Sequence, residues 1–281
     1  MKDAAIPCRP SDRLQLALDL AAAAERAILP HYQRAQVSEK ADGSEVTAAD
    51  LAAEAAIRAL IARETPHHGV LGEELGGAGL DRSMPHWIID PLDGTTWFAL
   101  GMPLFGTLIA LVEAGEPVVG VIHFPVLRET VFAEAGSGCW FRSASAPAVR
   151  VRTAGPERLS EAIVSASGLH ASSVSPQPGR PPYDLQALVR GARKFRFCGD
   201  CMQHALVCRG SVQVAVDAIM QPWDTAALIP CLREAGASLA SLSGQRDELT
   251  YAGSLVSARS EALLREVLAA CGAGLTGQPQ A

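Results

Sequence analysis

Apolar residues recur at helical spacing in two segments near the start of the chain. The first begins with Ser11, a residue type that caps helices, and continues in alanine, leucine and glutamate. The second begins at Thr47, three residues before Asp50, and runs to Glu64. That spacing is typical of a capping box. The pattern therefore predicts two amphipathic helices that pair with each other.

Shorter apolar runs, separated by glycine and proline, follow from about residue 87. Such runs are typical of neighbouring strands in a sheet. They occupy residues 86–90, 105–125 and 129–141. The first half of the chain is therefore expected to combine helices with a sheet.

A polar stretch rich in alanine and proline, residues 143–159, indicates a domain boundary. After it, strand-like runs alternate with helical patterns, and the last two predicted helices end at Gly236 and Gly272. We expect an N-terminal α+β domain over residues 1–142 and a C-terminal α/β domain over residues 143–281. The predicted fold class is α/β.

Composition and charge narrow the class of partner. The 281 residues are 48% hydrophobic, and 24 Lys and Arg against 30 Asp and Glu give a formal net charge of -6. That balance argues against a nucleic-acid or anionic-membrane surface and favours a small-molecule substrate. No signal peptide or membrane span is predicted, and seven scattered cysteines suit reduced thiols. We expect a cytoplasmic protein.

Four acidic residues are candidates for a metal site. Asp90 follows the apolar run at residues 87–89, and Pro91 stiffens the turn to Asp93. Glu73 and Asp224 are the other two. Gathered carboxylates repel one another unless a cation intervenes, and oxygen ligands suit Mg²⁺. Each acid also has a structural reading: a turn around Pro91, a helix cap at Asp224 and a solvated loop at Glu73.

The segment after Asp93 offers a complementary anion site. If Gly94, Thr95 and Thr96 begin a helical turn, their N–H groups point outward, and glycine permits close approach. A phosphate group would fit there. Together the two features indicate metal-assisted chemistry at phosphorus.

These segments resemble a known group of enzymes. The sequences GEE at 72–74, WIIDPLDGTT at 87–96 and WDTAALIPCLREAGA at 223–237 are similar to the three signatures of the inositol monophosphatase superfamily of Mg²⁺-dependent, lithium-sensitive phosphatases. KADGSEVTAAD at 40–50 matches a fourth segment. The resemblance extends from about residue 11 to residue 270. It implies a layered αβαβα sandwich of the inositol monophosphatase and fructose-1,6-bisphosphatase type, and a homodimer.

The resemblance also implies a ligand set for two or three Mg²⁺ ions. Glu73, Asp90 and the carbonyl of Leu92 would hold one ion. Asp90, Asp93 and Asp224 would hold a second, and Glu73 would reach a third, looser ion through water.

Catalytic roles carry over in the same way. Thr95, held near Glu73, would act with the first ion to orient and deprotonate the attacking water. Glu73 and Asp93 would be catalytic residues together with Thr95. Asp50 would support Thr95, or would serve only as the acid of the capping box. Lys40 matches a lysine of a mobile loop beside the metals. Gly94, Thr95 and Thr96 would cradle the phosphate.

Within the superfamily the chain looks most like the histidinol-phosphatase branch, which implies hydrolysis of L-histidinol phosphate. Asp217, seven residues before Asp224, matches the family's substrate-contacting acidic position, and Asp200 precedes a predicted helix beside it. Two carboxylates would favour an ammonium group over a neutral polyol. Aspartate also accepts hydrogen bonds from sugar hydroxyls, so inositol 1-phosphate and broader sugar or nucleotide phosphates stay open as substrates. Thr96 is closer to the inositol-phosphatase pattern, and glutamate is more usual at position 217.

A different class of function is also open. Cys198, Cys201, His204 and Cys208 carry ligands suited to zinc, although three of them also fit the buried stripe of a helix. A catalytically silent interaction protein that keeps the fold is the other alternative. The presence of every carboxylate that the phosphatase chemistry needs argues against it.

Overall fold

The computed structural model describes residues 10–34, 36–39 and 45–272. The elements of its first half are α1 (Asp12–Ile28), β1 (Val37–Glu39), β2 (Glu45–Thr47), α2 (Ala48–Glu64), β3 (Gly69–Gly72), β4 (His86–Asp93), α3 (Thr95–Ala99), β5 (Gly106–Glu113), β6 (Glu116–Phe124), β7 (Glu129–Glu134), β8 (Cys139–Ser143) and β9 (Ala146–Val151).

The second half carries shorter strands and most of the remaining helices. Its elements are β10 (Ile163–Ala166), α4 (Leu185–Gly191), β11 (Lys194–Phe197), α5 (Asp200–Cys208), β12 (Val214–Asp217), α6 (Pro222–Ala226), α7 (Leu228–Ala235), β13 (Ser238–Ala240), β14 (Leu255–Ala258) and α8 (Glu261–Ala270).

Both N-terminal helices begin where the sequence predicts. The side chain of Ser11 accepts a hydrogen bond from the Leu14 N–H at 3.2 Å and caps α1. Thr47 and Asp50 form the complete capping box of α2. Each cap satisfies N–H groups that a helix start leaves without a partner. The two helices pack together over one apolar cluster, as the amphipathic pattern indicates.

Strands β3 to β9 form a seven-stranded sheet in sequence order. Only the β3–β4 pair within it is parallel. The second sheet has five strands in the order β11, β10, β12, β14, β13. Because β8 and β9 belong to the first sheet, the passage to the second sheet lies between Val151 and Ile163, beyond the 142/143 boundary suggested by the sequence.

Three apolar clusters separate five layers. One lies between α1 and α2 and the first sheet, and a second fills the space around α5 and α7 between the two sheets. The third joins the outer face of the second sheet to α4 and α8. This is the predicted αβαβα sandwich. Among the described residues, no helix has the length and apolar character needed to cross a membrane.

Gly120 in β6 lies directly against the start of α7. A Cβ at this position would lie 2.2 Å from the carbonyl oxygen of Ala227 and 2.6 Å from Pro230 Cγ. The start of α7 therefore rests on the backbone of the strand. Glycine is required here because a side chain would push the middle layer away.

We expect Gly120→Ala to lower the free energy of unfolding by about 1–3 kcal/mol, the usual cost of overpacking a core. Urea unfolding followed by circular dichroism measures the change. Ala146→Val adds methyl groups at an exposed strand position and serves as the control, with a change within about 0.5 kcal/mol. Equal stability of Gly120→Ala and the wild type would contradict this account of the contact.

Candidate active site

An irregularity in β4 directs Asp90 and Asp93 to the same side of the sheet. Residues three apart in a regular strand face opposite ways. Here Asp90 pairs with Leu108 and Asp93 with Gly106, so β4 contains one residue more than its partner strand between these two pairs. The extra residue is a β-bulge, which reverses the alternation. Both carboxylates therefore face the layer between the two sheets.

Asp224 reaches the same place from the second half of the chain. It lies in the first turn of α6. Carboxylate oxygens of Asp90, Asp93 and Asp224 all lie within 4.8 Å of one another, and we call these three residues the acidic cluster. Residues more than a hundred positions apart in sequence thus share one site.

Each carboxylate of the acidic cluster accepts one backbone hydrogen bond. Asp90 accepts from Leu92 N at 2.9 Å, and Asp93 accepts from Cys201 N at 2.6 Å. Asp224 accepts from the N–H of Gln221 at 2.7 Å. These bonds orient one oxygen of each group and leave the other for a cation.

Burial and mutual repulsion make the acidic cluster costly to ionise. Burial, followed by the charges of Glu73, Asp93 and Asp224, raises the pKa of Asp90 well above its ordinary value. Burial likewise raises the pKa of Asp93, and it raises that of Asp224 to about 8. A divalent cation would relieve this repulsion.

Glu73 stands beside the acidic cluster because β3 runs parallel to β4. Its N–H donates to the carbonyl of Ile89 at 3.3 Å, one residue before Asp90. Its charge contributes to the raised pKa values of both Asp90 and Asp224. The structure thus brings together the four acidic residues predicted as metal ligands.

Thr95 lies between the carbonyl of Leu92 and the carboxylate of Asp50. Its hydroxyl is 3.2 Å from Leu92 O and 3.3 Å from Asp50 Oδ1. The other oxygen of Asp50 accepts from Thr47 N at 2.9 Å and from Thr47 Oγ1 at 2.6 Å. The two readings of Asp50 are therefore compatible, since one oxygen caps α2 and the other contacts Thr95. Burial raises the pKa of Asp50.

Gly94 occupies a left-handed conformation, with φ of 91°, directly before α3. Asp200 Oδ2 lies 3.1 Å from the position that a Cβ would take there. The left-handed backbone and the nearby Asp200 carboxylate both favour glycine at this position. The hydroxyl of Thr96 points instead to Glu45, with 2.7 Å between Thr96 Oγ1 and Glu45 Oε2. Thr96 therefore offers a ligand its backbone N–H and not its hydroxyl.

A cavity of about 390 Å³ opens beside the acidic cluster, and we call it the substrate cavity. Both predicted substrate-contacting carboxylates line it. Its lining consists of Thr96, Trp97, Ser167, Gly168, His170, Asp200, Asp217, Ala218 and Ile219. Its volume suits a small organic molecule.

Asp200 separates the substrate cavity from the acidic cluster. It is the first residue of α5 and adopts a positive φ of 49°, unusual for a residue other than glycine. Burial and the charge of Asp217 raise the pKa of Asp200 to about 7, and a hydrogen bond from Trp97 opposes the rise. The charge of Asp200 also contributes to the raised pKa of Asp93.

Asp217 is held on both oxygens. Ser167 Oγ donates to Oδ1 at 2.6 Å, and Gln203 Nε2 donates to Oδ2 at 3.1 Å. His204 Nε2 lies 3.8 Å from Oδ2. Sequence reasoning missed Ser167 and Gln203. The sequence signals only their positions: Ser167 comes one residue after strand β10, and Gln203 comes three residues after Asp200.

The proposed zinc ligands do not converge on an ion. Cys201, His204 and Cys208 are buried core residues of α5, and His204 Nδ1 lies 3.0 Å from Ser257 Oγ. Within the described ranges, the acidic cluster is the only set of three or more His, Cys, Asp or Glu side chains that lie close enough to share an ion. The zinc hypothesis was therefore wrong, because the spacing reflects a buried helix stripe. Lys40 lies outside the described residues.

Comparison with known proteins agrees with the geometry. The sequence model of the inositol monophosphatase family matches residues 10–273. The chain is 38% identical over 265 residues to a histidinol-phosphatase of Chlorobaculum parvum. The matched region covers 93% of this chain and 97% of the relative. It is 33% identical over 246 residues to an inositol-1-monophosphatase of Mesorhizobium japonicum, covering 85% and 86% of the two chains.

A solved structure shows the same fold. An IMPase of Thermotoga maritima superposes with a TM-score of 0.80 at 27% identity, covering 93% of this chain and 97% of that chain. The match of sequence and of layered architecture extends over nearly all of the chain. The protein therefore belongs to the inositol monophosphatase family of phosphatases.

Proposed function

We propose that this protein is a Mg²⁺-dependent phosphomonoesterase that hydrolyses L-histidinol phosphate to L-histidinol and phosphate. The convergence of carboxylate oxygens from Asp90, Asp93 and Asp224 within 4.8 Å carries the proposal. The 38% identity to a histidinol-phosphatase supports the choice of substrate.

The donor set fits Mg²⁺. It consists of carboxylate and carbonyl oxygens without a thiol or imidazole ligand, the chemistry that hard cations prefer. Asp90, Asp93 and Asp224, with Glu73 and the carbonyl of Leu92, would hold two or three ions. When bound, Mg²⁺ supplies positive charge to the phosphoryl oxygens and lowers the pKa of a bound water.

The residues of the chain supply orientation and proton transfer. The Thr95 hydroxyl is positioned to hold the attacking water, and Asp50 fixes that hydroxyl from behind. As the water oxygen bonds to phosphorus, the water gives a proton to Thr95 Oγ1, and the Thr95 hydroxyl proton passes to Asp50 Oδ1. The ester P–O bond breaks, and the departing alcohol oxygen takes up a proton from solvent water. The backbone N–H groups of Gly94, Thr95 and Thr96 would hold the phosphate oxygens during this exchange.

The substrate cavity would receive the alcohol part of the molecule. Asp200 and Asp217 would pair with the ammonium group, while Trp97 offers an aromatic face for the imidazole ring. Asp217 is a rigid acceptor because Ser167 and Gln203 hold it. Inositol 1-phosphate is the second candidate substrate, since the 33% identity to an inositol-1-monophosphatase covers most of the chain.

Removal of one carboxylate from the acidic cluster tests the metal assignment. We expect Asp93→Asn to lower Mg²⁺-dependent phosphate release at least about a thousandfold, because charge stabilisation of the transition state is lost. The rise in melting temperature on addition of Mg²⁺ is expected to shrink in the same variant.

Asp247→Asn, an exposed acid outside the site, is the control and is expected to keep both properties. The wild type should lose activity in EDTA and regain it with excess Mg²⁺. A near-normal rate for Asp93→Asn, with folding verified by circular dichroism, would refute the assignment.

The role of the Thr95 hydroxyl can be separated from that of its backbone. Thr95→Val keeps the shape and the N–H but removes the hydroxyl, so we expect kcat to fall about 10²- to 10⁴-fold with little change in KM. Thr96→Val is the matched control, because the Thr96 hydroxyl contacts Glu45. Equal losses in the two variants would contradict the assignment.

Substrate choice is tested with Asp217→Asn. We expect kcat/KM for histidinol phosphate to fall about 10- to 100-fold, a loss of one charged contact, and kcat/KM for inositol 1-phosphate to change less. The new asparagine can keep both neighbours, because its carbonyl oxygen can accept from Gln203 Nε2 while its amide donates to Ser167 Oγ.

The wild type is assayed with histidinol phosphate, inositol 1-phosphate and 3′-phosphoadenosine 5′-phosphate. The highest kcat/KM is expected for histidinol phosphate. A preference for either of the other two would overturn the substrate proposal and leave the metal assignment standing.

A further inference from the structure

A second cavity, of about 330 Å³, lies at the opposite end of β4 from the acidic cluster. We call it the distal cavity. Its walls come from the start of β4, the turn between β5 and β6, helix α7 and the 3₁₀ helix Leu249–Tyr251. Its volume is within the range of small-molecule sites.

His86 supplies an unpaired acceptor at the wall of the distal cavity. The residue is 1% exposed, and its Nδ1 lies 2.9 Å from the carbonyl oxygen of Met84. Because a carbonyl only accepts, Nδ1 carries the hydrogen and Nε2 presents a lone pair. Nε2 is buried and has no hydrogen-bond partner among the described residues. Such an atom is costly unless a ligand or water satisfies it.

The strand geometry directs the His86 ring toward this cavity. Ile88, two residues further along β4, packs in the cluster between the sheets, and alternation puts His86 on the same face. Val112, paired with His86 across the sheet, packs in that cluster together with Ile229 and Leu249. All three line the distal cavity beside His86.

Two opposite charges border the cavity. The Arg82 guanidinium lies 4.4 Å from the centroid of the Tyr251 ring, which holds it in place. Its N–H groups have no hydrogen-bond partner within the ranges described above. Glu248 adopts a left-handed conformation, with φ of 50°, a strained geometry that often marks functional sites. Arg233 is instead already paired with Glu116 at 2.9 Å.

We propose that the distal cavity binds a zwitterionic α-amino acid whose side chain carries a hydrogen-bond donor. The carboxylate pairs with Arg82 and the ammonium group with Glu248. The ligand's side chain lies against the apolar surface of Ile229 and Leu249, and its hydrogen-bond donor reaches His86 Nε2. The recognition chemistry differs from that of the substrate cavity, which has no arginine in its lining.

Titration calorimetry of the Mg²⁺-loaded protein with L-tryptophan tests the proposal. The indole N–H is the donor, and we expect a dissociation constant below about 1 mM. L-Phenylalanine lacks the donor and L-tryptophanamide lacks the carboxylate, so each is expected to bind at least about tenfold more weakly.

Variants tie the binding to this cavity. Arg82→Gln and His86→Phe are each expected to weaken L-tryptophan binding at least about tenfold, while Arg265→Gln, an exposed arginine on α8, leaves it unchanged. Arg82 is exposed, so its variant keeps the test valid should His86→Phe misfold. Absence of saturable binding, unchanged affinity in Arg82→Gln, or displacement of L-tryptophan by inorganic phosphate would overturn the proposal.

Discussion

The fold has to hold three carboxylates, one buried and two half-buried, against their mutual repulsion. Asp90, Asp93 and Asp224 would separate if nothing held them, because burial removes the water that screens their charges. The fold opposes the repulsion with one backbone N–H for each carboxylate, donated from three different segments. Neither sheet alone contains all three donors, so the layered architecture is itself a requirement of the acidic cluster.

The site is divided between the two halves of the chain. Most of the acidic cluster belongs to the first sheet, whereas Asp200 and Asp217 come from the elements around the second sheet. Helix α5 joins the two parts, because Cys201 N donates to Asp93 while Asp200 borders the substrate cavity. The proposed substrate contacts can therefore vary while the acidic cluster stays the same. This division is consistent with a family whose members are similar in sequence but carry different substrate names.

Local chemistry explains which parts of the fold could be predicted. The caps at Ser11 and Thr47 depend on neighbours within three residues, so the helix starts are readable from the sequence. The end of the first sheet is not, because β9 is an edge strand without a buried residue, and its Ala-Pro-Ala start is typical of a loop. An edge strand with no buried face need not show the apolar alternation by which strands are recognised.

The acidic cluster itself was found through several motifs in a fixed order, whereas Ser167 and Gln203 were missed. Each contacts Asp217 from a different element, and only the three-dimensional arrangement of β10, α5 and β12 shows that. The buried cysteines of α5 illustrate the opposite error. Periodicity along a helix is the same for a ligand set and for a core stripe, and burial decides between them.

The bulge in β4 has an evolutionary consequence. One extra residue between Asp90 and Asp93 sets which way both side chains face, so the two acids depend on the length of this segment as much as on their identity. Deleting or inserting a single residue there would turn one carboxylate into the opposite layer while every acidic residue remained in the sequence. Variation in chain length should therefore accumulate in the surface loops of this family, and the four residues from Asp90 to Asp93 should stay free of gaps.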